Sequence, residues 1–469
     1  MMPRLIMLLV CSLFAIKALV LIDATGLWSD ELYSVGKSFQ PSLTGLLEML
    51  RNDTHPPLYY IVLWVWGQAL AQTPLTLRLM SWLAYLAGAA LVMRQSAAMA
   101  SLGSTRTAVS VAALLMICSP YPIRFSVEGK SYALLVALVA LSWWCRRRWL
   151  DGSGAAWTYG LSVALAALTH FYGAFLFAAA AGWDGWQRRW PLARAALIGL
   201  LPTTLWIVYA STYLFSSRSG SWIGFPDFAL LEDTLARGLG WWPLPRLLVM
   251  LAVVLLLRRR GLTTDGGELD RSARWRLLDR SGLIPSGLMV LAVVLVSFLK
   301  PLAFSRYFVV LVPAVVTWLA VETAALSFNR LGRRLLAVMV SLLLLGWWFH
   351  SFREIRAGGV REQSNFRAVS RLTAGMTERF SPRPRLFNLS DRMEGVSQVP
   401  WGDEDELDDR LNVFPAPTVI WLAASGPEPV MRRRLLPLER RVSQAGYRCE
   451  VRSAELANAR VLLCIAGET

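Results

Sequence analysis

Charge is what this sequence has least of. Asp, Glu, Lys and Arg together make up 17% of its 469 residues, against 55% hydrophobic ones, and the mean hydropathy is +0.44. A soluble chain of this length exposes far more charge, so a water-soluble globular protein is excluded and a polytopic membrane protein is implied. Histidine occurs three times. Cysteine occurs five times, at 11, 118, 145, 449 and 464, with no metal-ligand spacing. Three of these lie in or beside apolar runs. Cys449 and Cys464 are the two able to form a disulfide, provided the tail lies outside the cell membrane. Internal repeats and low-complexity linkers are also missing, so the chain has to be read span by span.

What is present is apolar sequence punctuated by arginine. The 48 Lys plus Arg outnumber the 32 Asp plus Glu, but the basic residues fall in short clusters between apolar runs. That is the positive-inside pattern, and it argues against a nucleic-acid partner. "CRRRW" (145–149), "QRRWPLAR" (187–194), "LRRRG" (257–261) and "NRLGRR" (329–334) mark cytoplasmic loops on this reading. The first run, 5–24, is too long for a signal-peptide core and is followed by many others, so it reads as an uncleaved first helix with Lys17 snorkelling toward headgroups. Further spans fall at 75–93, 107–122, 131–147, 155–169, 172–187, 195–211, 243–257, 283–299, 308–327 and 335–350, about eleven in all. Residues 55–71 are apolar enough to cross, yet a crossing there reverses the side of everything that follows. The expected fold is therefore mainly α, a polytopic helical module of about 11–13 helices over 1–350 with a first extracytoplasmic loop at 23–54.

Past residue 350 the composition changes. "RPRLFNLS", "APTVIWLAAS" and "ARVLLCIAG" read as short buried strands; Phe366, Val369, Met376 and Phe380 mark one amphipathic helix, and Met431, Leu435, Leu438 and Val442 mark another. Residues 351–469 are expected to form a small soluble α/β domain, extracytoplasmic, with the acidic run 402–409 as a solvated loop.

Residues suited to chemistry collect on the side away from the arginine loops. "GLWSDELYSV" (26–35) sets Asp30 beside Glu31 just past the first span, where a carboxylate either pairs, faces water or does work; a helix cap is the competing reading. "NDTHPPLYY" (52–60) brings Asp53 and His55 to a double proline followed by Tyr59 and Tyr60, while "THFYG" supplies His170. A divalent metal ion held by His55 and His170 with a carboxylate is the one cofactor these residues suggest. Arg124, Lys130, Lys300 and Arg306 are cations placed against the topological bias, which suits an anionic ligand such as a phosphate.

"LWSDELYS", "HPPLYY", "LRLMSWLAYLAG", "SPYPIRFSVEGKSYALL" and "KPLAFSRYFVVLVPA" follow one another as in the GT-C superfamily of membrane glycosyltransferases. The chain resembles its bacterial branch related to protein O-mannosyltransferases and aminoarabinose transferases over most of residues 1–320. The resemblance implies an inverting transferase in the bacterial inner membrane, facing outward, that moves a sugar from a polyprenyl-phosphate donor to a glycan, lipid or protein acceptor. It implies Asp30 and Glu31 as catalytic carboxylates and Arg306, Lys130, Lys300 and Arg124 as donor-phosphate ligands. His55, Tyr59, Tyr60, Glu128, Tyr132 and Tyr307 then form the substrate-binding set. Gly129 and Lys130 stand where relatives carry Ala and Arg, exchanging a bidentate fork for a point charge. A flippase of lipid-linked sugars is the rival reading; it needs the same interfacial charges but no base beside an acceptor.

Overall fold

A computed structural model of the chain describes residues 4–24, 27, 29–70, 73–101, 103–216, 223–239, 263–264, 269–362, 366–377, 386–387, 401–402, 404–412, 419–425, 428–453 and 459–467. The helices are α1 (Arg4–Val20), α2 (Ser29–Ser38), α3 (Leu43–Arg51), α4 (Leu58–Ala69), α5 (Pro74–Met99), α6 (Thr105–Ala113), α7 (Pro120–Phe125), α8 (Tyr132–Leu150), α9 (Ala156–Thr169), α10 (Phe171–Trp186), α11 (Trp190–Tyr209), α12 (Ser211–Leu214), α13 (Phe228–Leu239), α14 (Arg271–Arg280), α15 (Leu283–Ser297), α16 (Val312–Ala325), α17 (Arg330–Glu362), α18 (Phe366–Thr377), α19 (Glu404–Leu411) and α20 (Glu428–Gln444). Strands β1 (Thr263–Thr264) and β2 (Ser327–Phe328) pair antiparallel; β3 (Leu386–Phe387), β4 (Trp401–Gly402), β5 (Val419–Ser425), β6 (Tyr447–Val451) and β7 (Ala459–Ala466) form one sheet. Two compact units result, one of residues 1–19, 42–69 and 77–352, the other of residues 20–41, 70–76 and 353–469.

In the first unit α9 packs on α8 and α11, α10 on α11 and α15, and α6 on α16. Leu135, Val139 and Trp143 of α8, Val163 of α9, Leu176 and Phe177 of α10 and Met289 of α15 form its core. Among the described residues four helices are long and apolar enough to cross a bilayer singly: Pro74–Met99, Trp190–Tyr209, Ser305–Ala325, which joins a 3-10 turn (Ser305–Leu311) to α16, and Arg330–His350. The pair α14–α15, bent by 62°, passes the same test of length and composition when its two helices are taken together, as a broken span or a re-entrant loop. This is fewer than the eleven spans read from the sequence. Part of the difference is length, since the 14 residues of α9 rise about 21 Å against a hydrocarbon core of about 30 Å. The same arithmetic settles 55–71: the 12-residue α4 rises about 18 Å and does not cross alone. The span read at 243–257 lies outside the described residues.

The bend between α14 and α15 is made by Gly282, with φ +86°, where a Cβ would sit 2.4 Å from Trp143 Cε2. Only glycine meets both conditions. Between α6 and α7 the chain forms a π-helical turn, Leu114–Cys118, and Tyr85 Oη of α5 donates to Met116 O at 2.6 Å, pairing a carbonyl of that turn.

Two charged features depart from expectation. The run 145–149 is not a loop marker: it is the end of α8, and Arg146 is fully buried there. Its Nε and an η nitrogen donate to the two Asp184 oxygens at 2.9 and 2.6 Å, and it also donates to Asp279 O at 2.9 Å and Asp279 Oδ1 at 3.0 Å. Arg189 joins Asp279 at 2.7 Å, and Trp183 Nε1 donates to it at 2.7 Å. α8, α10 and α14 are thereby pinned through charges that balance. Lys17, for its part, does not snorkel. It is 9% exposed, and its Nζ donates to Trp348 O at 2.7 Å while lying 4.1 Å over the Trp348 ring.

The second unit carries the sheet, ordered β4-β3-β5-β7-β6, parallel from β4 to β5 and antiparallel from β5 to β6. Met431, Leu435, Leu438 and Val442 of α20 are all buried, with Ile420, Leu422, Leu462 and Cys464 in the same core. Cys449 and Cys464 are partners across β6 and β7 and form a disulfide. The acidic run is helical over α19, and Asp408 accepts from Arg441 at 2.8 Å; an ion pair to a residue 33 positions away is what the local sequence conceals.

Candidate active site

Four segments of the first unit bring imidazole and phenol rings together. The double proline at 56–57 ends the loop after α3, and Pro57 O accepts from Ile61 N at 3.0 Å to open α4. That fixes His55 just before the helix. Asp53 Oδ2 lies 3.2 Å from His55 Nδ1, so Nδ1 carries a proton and donates it to the carboxylate. His170 links α9 and α10, and its Nδ1 accepts from Tyr172 N at 3.1 Å. A backbone N–H can only donate, so the His170 proton sits on Nε2. The two rings lie 5.9 Å apart and nearly perpendicular. Burial, and after it the charges of His55 and Lys130, hold His170 well below the usual histidine range.

Tyr307, from the 3-10 turn, lies 4.8 Å from His170 and 5.1 Å from Tyr172 between ring centroids. Tyr132, at the start of α8, lies 6.1 Å from His170. Tyr172 Oη donates to Leu302 O at 2.8 Å, tying α10 to the segment before the turn. His55, His170, Tyr172 and Tyr307, but not Tyr132, wall a cavity of about 140 Å³ that Thr54 and Pro56 also help to line, with Lys300 the cation in its lining. Lys300 is exposed, and its Nζ donates to Leu214 O at 3.1 Å.

The remaining cations differ in setting. Arg306 is 6% exposed, with its guanidinium carbon 5.0 Å above the Phe304 ring. The preceding Ser305 donates to Asp233 of α13. Lys130 and Glu128 are buried in the turn before α8, where Lys130 N donates to Glu128 O at 2.8 Å. A Cβ on Gly129 would lie 2.6 Å from Leu77 Cδ2, so an alanine does not fit here unless Leu77 moves. Arg124 lies in the last turn of α7, half-exposed. Tyr59 and Tyr60 are buried in α4, with Tyr60 6.2 Å from His55.

No protein-family model matches the sequence, and no curated protein does. Two structures of ArnT from Cupriavidus metallidurans, one in the apo state and one bound to undecaprenyl phosphate, each align at TM-score 0.60 over 98% of this chain and 99% of theirs, at 14% identity. The chain has the ArnT fold. That is the GT-C type expected from the motifs.

Within this ArnT-like chain the acidic pair lies in the second unit, in the first turn of α2. Asp30 is inside the helix rather than before it. The pair is also split: Glu31 is 1% exposed and shares a buried stripe with Leu27, Ser34 and Ser38, while Asp30 is half-exposed. Of the two, Asp30 is the more accessible to solvent.

His55 and His170 offer a metal two imidazoles, with the His55 Nδ1 directed to Asp53 and the His170 Nδ1 to a backbone donor. Among the described residues no group of three or more His, Cys, Asp or Glu is arranged to hold an ion. The residues do not make a metal centre by themselves, and no step is derived through one. Sequence reasoning missed Tyr172 and the Ser305–Asp233 contact. Tyr172 shares the "THFYG" motif with His170 and was within reach; Asp233 lies 72 residues from its partner and carries no local signal.

Proposed function

We propose that the protein is an inverting glycosyltransferase that moves a sugar from a polyprenyl-phosphate donor to a hydroxyl acceptor, with Asp30 as the general base. The observation that carries this is the ArnT fold across nearly the whole of both chains, one of the aligned ArnT structures holding undecaprenyl phosphate. In the reaction the acceptor oxygen attacks the anomeric carbon as the bond to phosphate breaks. The electron pair leaves with the phosphate, and the acceptor proton passes to Asp30. The leaving group is already an anion and needs charge stabilisation only, for which Arg306, Lys130, Lys300 and Arg124 are the candidates. The ring-lined cavity suits the donor's sugar, whose apolar faces stack on Tyr172 and Tyr307 while hydroxyls meet the histidines. The Cys449–Cys464 bridge supports an oxidising, extracytoplasmic setting for the second unit. The acceptor class is found by mass spectrometry of envelope glycans and lipids with and without the protein.

Asp30→Asn tests the base directly. It is expected to lower transfer by the purified protein by about 10²–10⁴-fold while costing about 1 kcal/mol or less of stability, since it removes only a favourable helix-terminus charge. Glu31→Gln, at a buried position, is expected to lower stability more than turnover. Wild-type turnover in Asp30→Asn removes Asp30 from the base role; donor movement across vesicles without product favours a flippase.

A further inference from the structure

Lys17 is an ammonium in the last turn of an apolar helix, and its surroundings are specific. Its Nζ donates to the main-chain carbonyl of Trp348 at 2.7 Å and lies over two rings, 4.1 Å from the centroid of Trp348 and 4.9 Å from that of Phe14. The two rings meet edge to face at 5.1 Å. A helical carbonyl has a second lone pair to offer, and the ring faces supply the negative potential a desolvated cation needs. An ionised group at this depth is costly unless it is so satisfied, and it is retained where it serves a purpose.

The place of this contact gives the purpose. α17 is otherwise loosely held, with 6% of its apolar window Arg330–His350 buried. The second unit begins at Val20, three residues after Lys17, and resumes at Arg353, five residues after Trp348. The clamp thus joins the first and the last points at which the chain leaves the membrane unit. The first leads directly to Asp30.

We propose that Lys17 is a positioning residue whose cation and hydrogen-bond contacts fix the end of α1 to α17, so that the segment bearing Asp30 starts from a fixed point. The proposal rests on the transferase reading for its kinetic consequence and on the structure alone for its mechanical one. In Lys17→Met, hydrogen–deuterium exchange at peptides covering 17–24 and 346–356 is expected to speed by about fivefold or more while peptides of α9 and α10 keep the wild-type rate. Turnover at saturating donor should fall about tenfold with the donor KM within about twofold, because the donor cations are untouched. Lys17→Arg should restore most of both. Trp348→Leu, which removes the ring and keeps the carbonyl, should give an intermediate change and serves if Lys17→Met does not fold. Wild-type exchange in both Lys17→Met and Trp348→Leu overturns the clamp, as does lost turnover without faster exchange. A wild-type protein with no transferase activity overturns the functional reading only, because the exchange measurement still decides the clamp.

Discussion

Replacing Arg146 by methionine removes one positive charge from a cluster whose formal charges sum to zero: Arg146 and Arg189 against Asp184 and Asp279. Asp184, fully buried, then keeps only Arg189, at 3.2 Å, of its two arginines. Asp279 keeps Arg189 at 2.7 Å and Trp183 at 2.7 Å. One buried carboxylate is left short of a partner, a situation that costs about 3–5 kcal/mol, or roughly 10²–10⁴ in the ratio of folded to unfolded protein. Removing Asp184 as well (Arg146→Met with Asp184→Leu) leaves Arg189 facing Asp279 and restores neutrality. The double variant is therefore expected to cost at least about 2 kcal/mol less than the sum of the two single ones. SDS titration in mixed micelles, followed by near-ultraviolet circular dichroism, measures all three. A cost under about 1 kcal/mol for Arg146→Met, or additive costs, would refute the view that these charges hold each other in place.

Arg306→Ala should weaken donor binding and turnover together, and Arg306→Lys should recover part of each, because a point charge survives where a planar fork is lost; kinetics against donor concentration checks this, and full recovery by lysine would reduce Arg306 to an anchor. His170 gives a pH dependence. Its folded form stays neutral well below the usual histidine range, while the unfolded chain takes up a second ring proton near pH 6.5, so stability should fall as pH drops below about 7, by up to about 1.4 kcal/mol per unit. His170→Gln should flatten that slope in unfolding measured from pH 7.5 to 5. Chelation of divalent ions should leave turnover within about twofold, because two imidazoles fall short of the three protein ligands a catalytic ion usually has; activity lost to chelator and restored by metal would mean that a carboxylate completes a site with His55 and His170.

What the sequence disclosed was what repeats locally. Met431, Leu435, Leu438 and Val442 fall one helical turn or two apart, and all four are buried on α20; "VIWLAAS" is continuous and apolar, and it is the central strand β5. Pairings across long separations left no trace. A run of three arginines looks the same whether it faces water or, as Arg146 does, carboxylates 38 and 133 residues away. Lys17 finds its partner 331 residues away. The candidate site divides on the same line. His55, His170, Tyr132 and Tyr307 were recognisable as residues, but their gathering into one cluster depends on the packing of α8, α9 and α10. The spacing of Leu27, Glu31, Ser34 and Ser38 did carry the signal that Glu31 points inward; the adjacency of Asp30 masked it.

The arginine–aspartate cluster also has an order of biosynthesis. At about 5–20 residues per second, Asp184 follows Arg146 out of the ribosome within about 2–8 s, and Asp279, 133 residues on, needs about 7–27 s. For most of that interval the nascent chain holds Arg146, Asp184 and Arg189, one positive charge in excess. The first pair is complete while the helices that follow are still unmade. α14 comes last, bearing the carboxylate that cancels the surplus, and in the folded protein that carboxylate joins this late-made helix to Arg146 and Arg189.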